Sequence, residues 1–569
     1  MLRKPLPWDN LSRSSITESW IDRLWLLGLL LAAGVLFGVN LGNVALRDWD
    51  EGTVAQVARD IWRSPPGSWV WLHPTIAGEP YLNKPPLMHW LIALAFRLGG
   101  VNEWMARLPG ATLAALSVPL LYGIGRELFS RRKPAIFAAL VYLTLLPVVR
   151  HGRLAMLDGA VVCFFLLLIF CLLRSRRDLR WGFGMGIAFG LLCLTKGIVA
   201  LLLGAIAIAF CLWDTPRLLT SSYVWSGVLL GSAPVVAWYG AQWQYYGQQF
   251  FNMNLLSQSL DRVVVPVEGH RGEPWYYLLE VLKYSAPWLL FFPQSCRLAW
   301  ENRNLSWAKL VLVWIAGYLL VISLMSTKLP WYVLPVYPAF AIAVGAYLTE
   351  VWQPSDLFGL HQPERHRYSI AWTVILSFIA IAGWVSSVYF SPMGLQPQPG
   401  LPIILGAVSL TLTTATVLLW RRDSQFVLVL LWGMYVSLLL FVASPYWLWE
   451  LGESYPVKPV AALVRQHTPS DATVWTLYPY SRPSLNFYSD RRIIQSAANA
   501  SQLPPALQDY WQKAPHPYLL VEQATLAQLS LPAMQPLGAV EKWVLLTRQQ
   551  GIADNKIAAQ NNRLSESQT

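Results

Sequence analysis

"RLWLLGLLLAAGVLFGVNLGNVALRDWDEGTVAQVARDIW", Arg23 to Trp62, decides the fold. Its first half is an apolar run long enough to cross a bilayer core of about 30 Å, which takes roughly 20 residues of helix. Its second half sets Asp48, Asp50 and Glu51 side by side at the mouth of that run. Carboxylates at a membrane boundary are costly unless they face water or a ligand. The stretch therefore predicts a membrane span that opens onto a working face.

The rest of the chain carries the same message. Of 569 residues, 55% are hydrophobic and only 13% charged, and the mean hydropathy is +0.40, which lies outside the soluble globular class. A formal net charge of +12 would suggest nucleic acid in a soluble protein. Here the bases fall in short runs between apolar segments, so they report topology, and nucleic acid is not an expected partner. Cys163, Cys171, Cys193, Cys211 and Cys296 lie in or beside apolar segments without metal-ligand spacing and read as packing residues. About twenty polar residues precede the first apolar run and no small-residue cleavage site follows it, so the run reads as a retained span.

A scan for further spans gives segments near 22–42, 107–127, 133–150, 155–173, 181–195, 197–213, 222–242, 283–299, 308–326, 330–350, 369–391, 401–420 and 425–443, about thirteen helices. With the N-terminus inside, every short basic cluster falls on the inner side: Arg126 to Lys133, Arg174 to Arg180, Arg297 to Lys309, Arg365 with Arg367, and Arg421 with Arg422. The outer side then holds the loops 43–106 and 243–282 and everything after 443. In the first loop "DEGTVAQVARDIWRS" predicts a short amphipathic helix. The prolines of "KPPLMHWLIALAFRLGG" suit the start of another helix, too short to span, that lies at the interface.

The expected organisation is a transmembrane domain over 1–443, an extracytoplasmic α/β domain over 444–549 and a disordered tail over 550–569. In the α/β domain "DATVWTLYP", "PHPYLLVEQ" and "EKWVLLTRQ" read as strands, and "VKPVAALVRQH" and "QLPPALQDYWQK" as helices. No internal repeat is visible, which disfavours inverted-repeat transporters.

Basic residues on the outer side break the charge rule and need other reasons. Lys84 in "LNKPPL", Lys196 in "LTKGI" and Lys328 in "STKLPWYVLP" stand out, and Arg59 and Arg262 are among the others. A single lysine at the end of a span commonly snorkels to headgroups. Three on one face favour a shared anionic ligand such as a phosphate. Asp158, at the outer end of a span, either faces a cavity or makes an ion pair with Arg150 or Arg153 that orders a turn. Asp50 and Glu51 either work on a ligand or cap the helix that follows. Carboxylates together with phosphate-binding cations fit group transfer from a lipid phosphate, the carboxylate as base and the cations on the leaving group. The aromatic residues of "EPWYYLLEVLKYSAPW" serve as sugar-stacking faces or as interfacial anchors.

"WDEGTVAQVARDIW", "YLNKPPLMHWLIALAFRLGG", "RLAMLD", "LTKGIVALLL" and "STKLPWYVLPVYPAFAI" occur in the order and spacing of a known family. Over about residues 20 to 350 the chain resembles the GT-C glycosyltransferases related to protein O-mannosyltransferases and to the lipid A aminoarabinose transferases. The resemblance implies a polytopic α-helical GT-C fold of about thirteen spans with the small α/β domain attached. It also implies an inverting transfer from a polyprenyl (undecaprenyl) phosphate sugar to a glycolipid, polysaccharide or protein acceptor, on the outer face of a bacterial plasma membrane.

By position, Asp50 and Glu51 would be the catalytic carboxylates, Asp50 as general base or acceptor-positioning residue. Lys84, Lys196, Lys328 and Tyr332 would hold the donor phosphate. Asp158 and His270 would be metal ligands for a divalent ion, zinc, magnesium or manganese, although a surface histidine without that role is an equal reading of His270. Two departures stand out. Asn83 replaces a family glutamate before the "KP" lysine, which removes an anionic ligand. "GTVA" stands where the family has an arginine, with Arg59, one to two turns on, as its substitute at the phosphate. The rival reading is a membrane transporter or lipid flippase, which would show broken helices and paired charges at mid-depth.

Overall fold

The computed structural model describes residues 7–266, 269–352, 368–448, 455–478, 481–496 and 503–549; the expected tail lies outside them. The chain divides into two compact units. Of the described residues, one takes in those of 7–44, 71–73 and 82–448, and the other those of 45–70, 74–81 and 455–549.

The first unit is a helical bundle, as the apolar runs predict. Among the described residues, nine helices are long and apolar enough to cross a membrane, or ten if Arg132–Leu143 and Leu146–Gly152, bent by 61°, form one span. That count passes over the 17-residue helix Asp158–Arg174 and takes Trp181–Asp214 as one helix; one stretch differs from the expected spans. Segment 283–299 is not one helix: Pro287 and Pro293 punctuate it, and it runs as a 3₁₀ turn Trp288–Phe291 followed by the ten-residue helix Phe292–Glu301. Over its 34 residues Trp181–Asp214 is two helices that meet at a kink, as the spans 181–195 and 197–213 predict: the backbone leaves helical geometry at Lys196 (φ −152°, ψ 68°).

A straight helix of that length would reach roughly 50 Å, yet this one folds back on itself. Arg176, just before its start, lies 3.0 Å from Asp214 at its end. A Cβ built on Gly204 would come 2.8 Å from the ring of Phe189. The element is a hairpin with Lys196 at its tip. Its first arm meets the helix Ser222–Tyr246 backbone to backbone: a Cβ on Gly186 would lie 1.9 Å from the carbonyl carbon of Gly227, the close approach that small residues allow between membrane helices.

Two of the unexpected basic residues are structural. The fully buried Arg153 donates to the carbonyls of Leu36 (2.7 Å), Phe37 (3.1 Å) and Val39 (2.6 Å). Arg107, equally buried, donates to those of Leu41 (2.9 Å) and Val44 (2.7 Å). Both guanidiniums lie over the Trp447 ring, at 4.4 and 5.1 Å. Arg153 satisfies carbonyls that the first helix, Pro7–Gly38, leaves open at its end, and Arg107 those of the chain that follows it. Arg153 is thereby committed to backbone rather than to Asp158.

The second unit joins the first loop to the C-terminal segment. The loop supplies the helix Thr53–Arg63 and a hairpin of β1 (Thr75–Ile76) and β2 (Glu79–Pro80). The C-terminal segment supplies β3 (Thr473–Thr476), β4 (Arg492–Gln495), β5 (Tyr518–Glu522), β6 (Met534–Val540) and β7 (Trp543–Arg548), in the sheet order β4-β3-β5-β7-β6. β3 runs parallel to β4 and β5, and β7 antiparallel to β5 and β6.

Alternation along the strands builds two cores, the period-two rule of a sheet covered on both faces. Tyr518, Leu520, Trp543 and Leu545 join the helices Val457–His467 and Pro483–Ser489 on one face. Leu519, Val521, Val544 and Leu546 join Leu507 and Trp511 of Pro505–Lys513 on the other. The three predicted strands and two predicted helices are present. β4, β6 and the helix Pro483–Ser489 are additional: their strands are short or Gly- and Pro-bearing and show no clean alternation in sequence.

Candidate functional site: a cationic pocket and an acidic loop

In the first unit a pocket with about 710 Å³ of empty space, its open mouth included, is lined by Lys84, Asp158, Lys196, Gln258, Arg262 and Tyr332 together with apolar side chains such as Ile198, Val199, Leu202, Ile322 and Met325. Each polar group arrives by a local device. Lys84 stands just ahead of Pro85 and Pro86, whose fixed backbone starts the helix Leu87–Gly99. Asp158 is the first residue of Asp158–Arg174, where the helix dipole favours a carboxylate. Lys196 leaves the helical register at the hairpin tip. The next residue must be small, because a Cβ on Gly197 would come 2.6 Å from the Tyr239 hydroxyl. Tyr332 sits in the proline-bounded 3₁₀ segment Pro330–Val336.

These groups form one network. The Lys196 ammonium donates to Asp158 Oδ1 at 2.8 Å and lies 5.2 Å from the centre of the Tyr332 ring. Arg262 donates to the Tyr332 hydroxyl at 3.1 Å and to Gln258 Oε1 at 3.0 Å. Lys84 donates to the same Gln258 oxygen at 3.4 Å. Among the lining side chains three are cations and one a carboxylate, so the pocket carries net positive charge beside an apolar wall. That combination fits an anionic head on a hydrocarbon chain.

The structure departs from the sequence reading at Lys328. Its ammonium donates to the carbonyls of Ile322 (3.0 Å) and Ser323 (2.7 Å), closing the end of the helix Ser306–Leu324, and burial pushes its pKa down. It is absent from the pocket lining, and Arg262 supplies the third cation. Arg262, Gln258, Asn254, Tyr239 and Tyr318 were not singled out from sequence. The one available signal was that Arg262 is a basic residue on the side the charge rule leaves poor in bases.

The residues named for a metal do not fit one. The Asp158 carboxylate is already matched by Lys196, Asn83 stands in the lining where a third ligand would be needed, and His270 is exposed. Among the described residues no three His, Cys, Asp or Glu side chains converge.

Asp50, Glu51 and Arg59 belong to the second unit. The turn Asp48–Gly52 is wound as a π-helix. Glu51 is fully buried and accepts from the backbone N–H of Arg47 at 3.1 Å, and Asp50 is half-buried. Asp48, also buried, is ion-paired with Arg482 and accepts from the hydroxyl of Ser484. Arg59 differs from its expected role at a phosphate: it is paired with Asp490 at 2.7 Å, donates to the Phe487 carbonyl and lies over the Phe487 ring. Burial lowers its pKa, and Asp490 opposes that shift.

Comparison with known proteins bears out the resemblance. Residues 83–239 match the family described as dolichyl-phosphate-mannose-protein mannosyltransferase. An undecaprenyl phosphate-alpha-4-amino-4-deoxy-L-arabinose arabinosyl transferase of Pseudomonas fluorescens is 28% identical over 58% of this chain and 61% of its own length. A protein of the same name from Aeromonas hydrophila is 28% identical over 52% of this chain and 55% of its own. The match thus spans less than two thirds of these relatives. The structure of ArnT from Cupriavidus metallidurans bound to undecaprenyl phosphate superposes with a TM-score of 0.74 at 20% identity, covering 92% of this chain and 98% of that one. The archaeal oligosaccharyltransferase AglB from Archaeoglobus fulgidus follows at 0.52 and 13% identity, over 89% and 70%. These last two likenesses are of fold.

Proposed function

We propose, from the premise that this chain is an ArnT-like GT-C membrane protein, that it is an inverting glycosyltransferase. It takes a sugar from a polyprenyl phosphate carrier and passes it to a hydroxyl or phosphate of a glycolipid, surface polysaccharide or protein, on the outer face of a bacterial plasma membrane. The observation that carries this reading is the pocket, where Lys84, Lys196 and Arg262 face one carboxylate beside an apolar wall. The names and the lipid ligand of the relatives point the same way.

In the proposed reaction the acceptor oxygen attacks the anomeric carbon from the face opposite the phosphate, and Asp50 takes the proton of an acceptor hydroxyl. Glu51, buried and bonded to backbone, shapes the turn beside it. The bond between the anomeric carbon and the phosphate oxygen breaks, and its electron pair stays on the leaving polyprenyl phosphate. The pocket cations stabilise the charge that develops there, which is worth most where water is excluded. One displacement gives inversion. Lys196 is held by Asp158 in the lining of the pocket.

The transporter or flippase reading expected broken helices and paired charges, and the hairpin at Lys196 and the pair Lys196–Asp158 are of that kind. What favours transfer is the fold likeness over 92% of the chain and the absence of a visible repeat.

The test is transfer of radiolabelled sugar from polyprenyl-phosphate sugars in membranes containing the protein, with products separated into lipid, polysaccharide and protein fractions. Label entering one fraction, and suppressed by added undecaprenyl phosphate, is the expected result. Carrier left unconsumed in every condition would return the transporter reading to first place.

A further inference from the structure

The transferase reading makes Asp50 the base, and Asp50 is carried by the turn Asp48–Gly52. The turn is held from the far end of the chain. We propose that Arg482 is a positioning residue for Asp50, and that the C-terminal α/β domain holds the acidic turn in its working shape.

Four features of the second unit support this, resting on the reading of Asp50 as base. Arg482 and Ser484 both bind the Asp48 carboxylate, two residues before Asp50. The Arg482 guanidinium is itself clamped between Tyr455 and Tyr478, 3.8 and 3.9 Å from their ring centres, so its plane is set by two walls. Gly52, just after the acidic pair, packs so tightly on the start of Pro483–Ser489 that a Cβ would come 2.6 Å from the Ser484 nitrogen. Upstream, the Leu46 N–H donates to the Tyr488 hydroxyl at 2.8 Å, and downstream Arg59 binds Asp490 at 2.7 Å. The turn is therefore gripped before, within and after Asp48–Gly52 by residues 482–490. Arg482 and Asp48 are 7% and 4% exposed, so water screens the contact little, and removing one partner strands the other charge.

The experiment uses the full chain in lipid–detergent micelles with the variants Arg482→Met, Arg482→Lys, Asp48→Asn and Arg482→Met/Asp48→Asn. Hydrogen exchange of the amides at 47–53 is measured alongside kcat, donor KM and the melting temperature. For Arg482→Met the expected result is faster exchange at 47–53 and kcat lower by about 30-fold, short of the roughly 10²-fold that a 1 Å misplacement costs. Donor KM stays within about twofold, because the donor pocket's lining does not include Arg482. The double variant is no worse than the worse single one, and Arg482→Lys recovers part of kcat.

Unchanged exchange overturns the proposal. So does a rise in donor KM that matches the fall in kcat together with a collapse of the melting temperature, which would mark a merely structural residue. Wild-type transfer with an unaffected Arg482→Met overturns the positioning role alone. A wild-type chain that transfers no sugar overturns the reaction and the positioning role with it.

Discussion

Lys196→Met will leave a chain that transfers no detectable sugar and is markedly less stable, and adding Asp158→Asn will recover the stability without the activity. Lys196 and Asp158 form a close pair at 2.8 Å, with side chains 13% and 9% exposed. Removing one member of a buried pair strands the other charge and costs about 3–5 kcal/mol, whereas removing both is near neutral. The stability arm therefore tests the pair and the activity arm tests the pocket. Taking one of three cations from the pocket proposed for the leaving phosphate should lower kcat by at least about 10²- to 10³-fold, the scale of losing one preorganised donor. Thermal melting of the three variants in detergent, alongside labelled-sugar transfer, checks both. A double variant as unstable as Lys196→Met would mean that the lysine stabilises the hairpin tip by some route other than Asp158.

Asp50→Asn should lower kcat by about 10²- to 10⁴-fold while polyprenyl phosphate still binds, because a general base contributes that much to the chemical step and nothing to the donor's phosphate. The side chains are nearly the same size, and Asp50 is only half-buried, so the turn should keep its shape. Single-turnover transfer together with donor binding by the same protein gives the comparison. A loss of binding equal to the loss of rate would place Asp50 on the donor side. A rate unchanged within error would pass the role of base to another group.

Much of the bundle was legible because a bilayer imposes a length on each apolar run, and alternation in Tyr518–Glu522 and Trp543–Arg548 marked the sheet. The bundle's breaks were only partly so. The break at Lys196 was legible as the gap between two spans, whereas Pro287 and Pro293 interrupt 283–299 inside an apolar run that passes for one span. At the pocket, Lys84, Asp158, Lys196 and Tyr332 stood in distinctive settings: before paired prolines, at a span mouth, beside a glycine and within a proline-bounded turn. Arg262 had no such setting, since "SQSLDRVVV" looks like any polar loop. Lys328 and Lys196 look alike in sequence. Which one reaches open carbonyls depends on how the chain turns after Leu324. Arg59 and Asp48 find their partners 428 to 436 positions away, a distance over which a local reading has no purchase.

The interval of 436 residues between Asp48 and Ser484 also sets a clock for biogenesis. At 5–20 residues per second, synthesis takes roughly 20 to 90 s to cover it. For that time the first loop has left the ribosome without the residues that grip it. A chain released early would carry the lysines of the pocket but an untethered acidic turn, so competence is acquired only with the last hundred or so residues. Pulse-labelled chains stalled before and after residue 490 should differ in protease cleavage near 45–63. Equal cleavage would mean that the loop finds its shape alone.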